Sequence, residues 1–129
     1  MIDYYKMAFR RYFDFKGRST KNEYWYFVLL HVLIIIALKI TFLLVYLPNH
    51  SEFALVPLLT FFIYFIASLI PFAAATFRRI HDTGRSAWFL LIPIIPLIGS
   101  IVVVYALFEE SQPRSNKWGD VPYESQQFV

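Results

Sequence analysis

The chain has 129 residues, 58% of them hydrophobic and 16% charged, with a net charge of +3 and no cysteine. A soluble domain carries roughly a quarter charged residues, so this composition argues against an ordinary soluble globular class. The missing cysteines exclude a disulfide framework, a thiol nucleophile and a thiolate metal site.

The N-terminal segment 3–16 is predicted as an amphipathic helix lying on the membrane surface. Ile2, Tyr5, Phe9, Tyr12 and Phe13 recur at helical spacing on one side, and Asp3, Lys6 and Arg10 on another. An aromatic face backed by a basic one suits an anionic bilayer. Gly17 is the expected stop. Thr20-Lys21-Asn22-Glu23 then has capping-box spacing, with Thr20 as N-cap.

Three apolar runs follow, 24–47, 53–77 and 88–108. Lys39 is the one Lys, Arg, Asp or Glu among them. At about 1.5 Å rise per residue even the shortest reaches roughly 31 Å, one hydrocarbon thickness, so each qualifies as a membrane span. The first begins too late and runs too long for a cleaved signal peptide. Tyr24, Trp25 and Tyr26 sit where aromatic belts form.

Lys and Arg are dense before residue 24 and again in the polar island 78–87, and absent from the link 48–52. The positive-inside rule places the N-terminus and the island in the cytoplasm and the link outside. The basic residues therefore read as topology signals, and no nucleic-acid partner is expected. Three full spans would leave the tail 109–129 outside. Pro93 and Pro96 break the third run, however, each removing a backbone donor. It is expected to span with a kink; the other reading is a re-entrant segment sheltered by protein. A cysteine at Ser125 would report the side of the tail.

The chemistry-bearing residues fall into two groups. Gly17-Arg18-Ser19 and Gly84-Arg85-Ser86 each place an arginine beside a helix start, where free N–H groups attract anions. Together Arg18, Glu23, Arg78, Arg79, His81, Asp82 and Arg85 form a candidate cytoplasmic layer, either holding headgroup anions or serving as a structural polar cluster. Glu23 and Asp82 are expected to neutralise part of its arginines. His81-Asp82 offers acid–base chemistry, yet neighbours in a helix do not face each other and no metal-ligand spacing accompanies them. No metal and no cofactor is expected. The second group is intramembrane: His31 and Lys39, eight residues and about 80° apart on a helix, so that one broad face could carry both. Lys39 can also snorkel outward, and His31 needs only a hydrogen bond.

These residues resemble a family. Phe15-Lys16-Gly17-Arg18-Ser19-Thr20-Lys21-Asn22-Glu23-Tyr24-Trp25 is similar to the N-terminal signature of the bacterial inner-membrane family called domain of unknown function 805. The run from Arg78 to Trp88 resembles its central signature, Ile92-Pro93 to Gly99 its proline-bearing third segment, and Asn116 to Pro122 its tail motif. The likeness covers roughly residues 9–122; Ala87 and Asp120-Val121-Pro122 depart from it. It implies a bacterial inner-membrane protein with no established activity.

The expectation is thus one all-α membrane domain over 1–129, with three transmembrane helices and an interfacial helix, N-terminus and island cytoplasmic. Its function reads as non-enzymatic binding of anionic lipids or of a membrane partner, a second copy included. One alternative is a homo-oligomeric transporter or channel using His31 and Lys39. The other is an enzyme acting on a phosphorylated lipid with His81 as base.

Overall fold

The computed structural model of the protein describes residues 2–49 and 52–122. Residues 50–51 of the link, and the tail beyond 122 with Ser125, lie outside the described residues. Four α-helices, α1 (Ile2–Arg10), α2 (Lys21–Asn49), α3 (Leu55–Asp82) and α4 (Ile98–Phe108), alternate with 3-10 segments at Glu52–Ala54 and Ala87–Ile94. Among the described residues there is no strand, only an isolated bridge between Asn116 and Gly119.

α2 starts where its cap predicts. The Glu23 amide donates to Thr20 Oγ1 at 3.1 Å, satisfying one of the free donors of a helix start. α2 then runs antiparallel to α3, with Tyr24 beside Thr76 at one end and His31 beside Tyr64 farther along. Both helices are long and apolar enough to cross a membrane. Only 6% of the first apolar window and 17% of the second is buried within the protein, so neither is the core helix of a soluble fold. Their outward leucines, isoleucines and phenylalanines are exposed, as lipid requires.

The N-terminal helix is shorter than the expected 3–16 and is not free on a surface. It ends at Arg10 because Asp14 redirects the chain: its Oδ1 accepts the amides of Lys16 and Gly17 at 3.2 and 3.1 Å. Tyr5 and Phe9, assigned to lipid by their spacing, pack instead on the protein core beside buried Ala8. Ile2 and Phe13 do stay exposed. The docking point of this segment has a backbone cause. Pro71 lacks the N–H that would bond the Ala67 carbonyl one turn back, and the Tyr12 hydroxyl donates to that carbonyl at 2.6 Å.

The third apolar run is not one helix. Ala87–Ile94 forms the second 3-10 segment, residues 95–97 turn, and α4 folds back against it. Leu97 carries the turn at φ 64°, a left-handed conformation that a side chain adopts only under strain. Gly99 permits the close approach: a Cβ there would lie 2.1 Å from the Ile92 carbonyl oxygen. With 11 residues, α4 reaches only about 17 Å, half a bilayer core. The hairpin returns residue 109 to the island, since Arg85 Nη2 donates to Glu109 Oε1 at 3.0 Å. Three full spans would have set the start of the tail opposite the island; instead residues 109–119 lie beside the island, at one end of the helix pair.

Candidate functional site: a buried arginine layer

Three pieces of chain meet where α2 begins and α3 ends. The last turn of α3 supplies Arg78, Arg79, His81 and Asp82. The loop before α2 supplies Arg18 and Ser19, and the first turn of α2 supplies Glu23. Over them lies a strap, residues 109–119, following α4. All six of the predicted layer residues other than Arg85 are buried.

Asp82 is the hub. Arg18 Nε donates to its Oδ1 at 3.0 Å, Arg79 Nη1 to its Oδ2 at 2.5 Å, and Ser111 Oγ to the same Oδ2 at 2.5 Å. Arg18 spends its remaining donors on the strap, Nη2 on the Gln112 carbonyl at 2.8 Å and Nη1 on the Arg114 carbonyl at 3.0 Å. The strap answers with the Gln112 amide, which donates to the Asp82 carbonyl at 2.9 Å. Arg79 also donates to the carbonyls of Leu107, at 3.1 Å, and of Glu109. Trp25 Nε1 bonds the same Leu107 carbonyl at 3.1 Å, so the open end of α4 is capped by side chains from α2 and α3.

Arg78 faces the other way. Its Nη1 donates to the carbonyls of Asp14 at 2.8 Å and Arg11 at 3.1 Å, and its Nε to Ser19 Oγ at 3.1 Å. Ser19 Oγ in turn donates to Glu23 Oε1 at 2.8 Å. That carboxylate sits 3.6 Å from Arg11 and 3.9 Å from Arg78, a looser pairing than Asp82 makes. Arg85 lies at the rim, about one-third exposed, paired with Glu109 and stacked over Phe89.

His81 is buried, with 5% exposure, and its ring stacks on Trp118 at 4.5 Å between centroids and 8° between planes. Asn116 Nδ2 donates to the His81 carbonyl at 3.0 Å and holds the strap in place beside it. The expected neighbours His81 and Asp82 thus point to different partners.

Spacing alone did not single out Arg11, Asp14, Glu109, Ser111, Gln112 or Trp118. Trp118 stands in the tail motif. Arg11, Asp14, Glu109 and Gln112 each lend a backbone carbonyl to an arginine of the layer, a role that leaves no mark in a sequence, and Ser111 acts through its hydroxyl.

The intramembrane pair is not brought together. His31 turns into the protein, with Nδ1 2.6 Å from the Tyr64 hydroxyl, which lies 2.8 Å from the Tyr5 hydroxyl. Lys39 is exposed farther along α2. Among the described residues no group of three or more His, Asp or Glu could hold a metal ion.

Burying three arginines against two carboxylates is unfavourable unless every charge is hydrogen-bonded. Here backbone carbonyls take most of the donors; Arg78 Nη2 alone among the layer's arginine nitrogens is buried without a hydrogen-bond partner, 3.9 Å from Glu23. The layer fastens α3, the start of α2, the N-terminal loop and the strap into one unit.

Two long apolar helices closed at one end by a buried arginine–carboxylate layer define a small helical membrane protein. The chain belongs to the family described as protein of unknown function (DUF805), which matches residues 12–120. It is 33% identical over 121 residues to the inner membrane protein YhaH of Escherichia coli K12, across 94% of this chain and 97% of that one. It is 29% identical over 121 residues to the inner membrane protein YhaI of the same strain, across 94% and 96%. No solved structure matches it.

Proposed function

We propose that this chain is a non-enzymatic inner-membrane protein that gathers anionic lipid headgroups around a rigid cytoplasmic layer. In this reading α2 and α3 cross the bilayer. The third run enters and leaves on the cytoplasmic side, so the N-terminal loop, island and strap all face the cytoplasm, as the distribution of Lys and Arg favours.

The observation that supports it best is the closure of the layer. Asp82 accepts from Arg18, Arg79 and Ser111 at once, and His81 lies under Trp118. Groups so engaged hold the fold, and while the strap covers them they offer no surface to a substrate. Headgroup binding then falls to exposed cations around the layer, Lys16, Arg114 and Lys117. Each contributes about 1 kcal/mol beside an anionic surface.

Native mass spectrometry of the protein extracted from mixed phosphatidylethanolamine–phosphatidylglycerol bilayers tests this. The wild type is expected to retain phosphatidylglycerol above its bulk fraction. The combined variant Lys16→Gln, Arg114→Gln and Lys117→Gln is expected to lose most of that enrichment. Equal retention by both proteins overturns the reading.

A further inference from the structure

We propose that the strap is a lid over a second, enclosed site, which Arg18 and His81 form for a phosphomonoester anion. This goes beyond headgroup binding at the exposed rim.

Both terminal nitrogens of Arg18 donate to strap carbonyls, those of Gln112 and Arg114. These are the two donors with which a guanidinium grips a phosphate. The carbonyls are neutral occupants, so they satisfy hydrogen bonds and leave charge unanswered. The buried layer holds three arginines, Arg18, Arg78 and Arg79, against two carboxylates, Glu23 and Asp82. The strap carries Glu109 and Glu110 as well as Arg114 and Lys117, so it leaves this excess of positive charge unchanged. An anion at Arg18 corrects it.

His81 supplies the second observation. Its Nδ1 is buried with no hydrogen-bond partner, a costly state for a polar atom. One short piece of chain covers both residues: Trp118 stacks on His81, and the Gly119 carbonyl lies 3.4 Å from Arg18 Nη1. A bare imidazole nitrogen accepts a proton donor. The ligand that fits both residues offers acceptor oxygens to Arg18 and one O–H to His81. A phosphomonoester monoanion carries both, whereas a phosphodiester or sulfate lacks the acidic O–H. Inorganic phosphate and a phosphatidic acid headgroup share this chemistry.

The lid can move. Gln112–Ser115, Lys117 and Gly119 are exposed, and polar contacts with one tryptophan ring hold the strap down. Segments with so little apolar burial open at low cost.

Amide exchange at Gln112, whose N–H donates to the Asp82 carbonyl, reports the lid in full-length protein in phosphatidylcholine nanodiscs. Inorganic phosphate, or phosphatidic acid in the bilayer, is expected to speed exchange across 112–119; a response to the lipid alone identifies the headgroup as the source. Sulfate and phosphatidylglycerol are expected to leave it unchanged. His81→Phe keeps the ring stack and removes the acceptor, and should weaken the phosphate response about tenfold, the worth of one hydrogen bond to a charged group. Trp118→Ala loosens the lid and should strengthen apparent phosphate affinity. No response to either phosphate source, an equal response to sulfate, or an unchanged His81→Phe protein overturns the proposal. Lys16→Gln lies off the strap and should keep the response even if rim enrichment of lipids fails, which separates the two ideas.

Discussion

Asp82 and Arg18 meet across 64 residues of sequence, Oδ1 to Nε at 3.0 Å, with side-chain exposures of 0% and 2%. The pair joins the end of α3 to the loop before α2, and Asp82 simultaneously holds Arg79 and Ser111. No other carboxylate in the layer has so many partners at hydrogen-bond distance among the contacts described.

Asp82→Asn keeps the shape and removes the charge. Two buried guanidiniums then lose their counter-ion, a change that costs about 3–5 kcal/mol in buried pairs. Thermal unfolding of the purified protein should show a large drop in midpoint. A midpoint near the wild-type value would mean that strap carbonyls alone hold the arginines.

Gly99→Ala should prevent the hairpin from closing. Its Cβ would fall 2.1 Å from a backbone oxygen, which no side-chain rotation relieves. Overpacking of this kind costs about 1–3 kcal/mol. Gly119→Ala meets nothing within 4 Å and bears only the strain of φ 133°, so it is the matched control. Stability ranked Gly99→Ala below Gly119→Ala is the expected order.

Ser115→Cys places a thiol on the exposed strap of an otherwise cysteine-free chain. In oriented membranes it should react with an impermeant maleimide from the same side as Lys16→Cys. Labelling from opposite sides would restore a full third span and dismantle the layer described above.

Asp14 makes stability depend on acid. Partial burial alone would raise its carboxyl pKa. The Arg11 hydrogen bonds, at 2.6 and 2.8 Å, and the amides of Gly17 and Lys16 outweigh that and hold it below the ordinary aspartate value of 3.8. A depressed folded pKa contributes stability above the unfolded value, lost as pH falls through the folded one. Melting curves between neutral pH and roughly pH 3 should therefore steepen more for wild type than for Asp14→Asn. Parallel curves would remove Asp14 from the account.

Tyr64 bridges His31 and Tyr5, joining α2, α3 and α1. Tyr64→Phe should destabilise by about 1–3 kcal/mol, since it strands two partly buried partners. Its effect should not add to that of Tyr5→Phe, because the two remove one shared bond. Simple additivity would show that the chain of hydroxyls is not coupled.

Much was legible before the structure. Runs of apolar residues mark α2 and α3, because lipid rewards uninterrupted hydrophobicity and nothing subtler. Thr20 announced the start of α2 through a local hydrogen bond. The charged residues of the layer stood out because charges beside spans are scarce. Less legible were partners that act through the backbone. The carbonyls of Gln112 and Arg114 belong to residues whose own side chains give no hint of a role at Arg18.

The sequence by itself determined which segments are apolar, where α2 begins, and which side chains bring charge to one end of the helix pair. Those properties depend on composition and on neighbours a few residues apart. Only the tertiary structure decided that the third run folds back, that the strap covers the arginines, and that α1 docks where Pro71 leaves the Ala67 carbonyl open. Each depends on two distant backbones meeting: Gly99 on Ile92, Gln112 on Asp82, Tyr12 on Ala67. Local patterning encodes the energy of leaving water. It does not encode which carbonyl will be left without a partner, and here such carbonyls set much of the fold's closure.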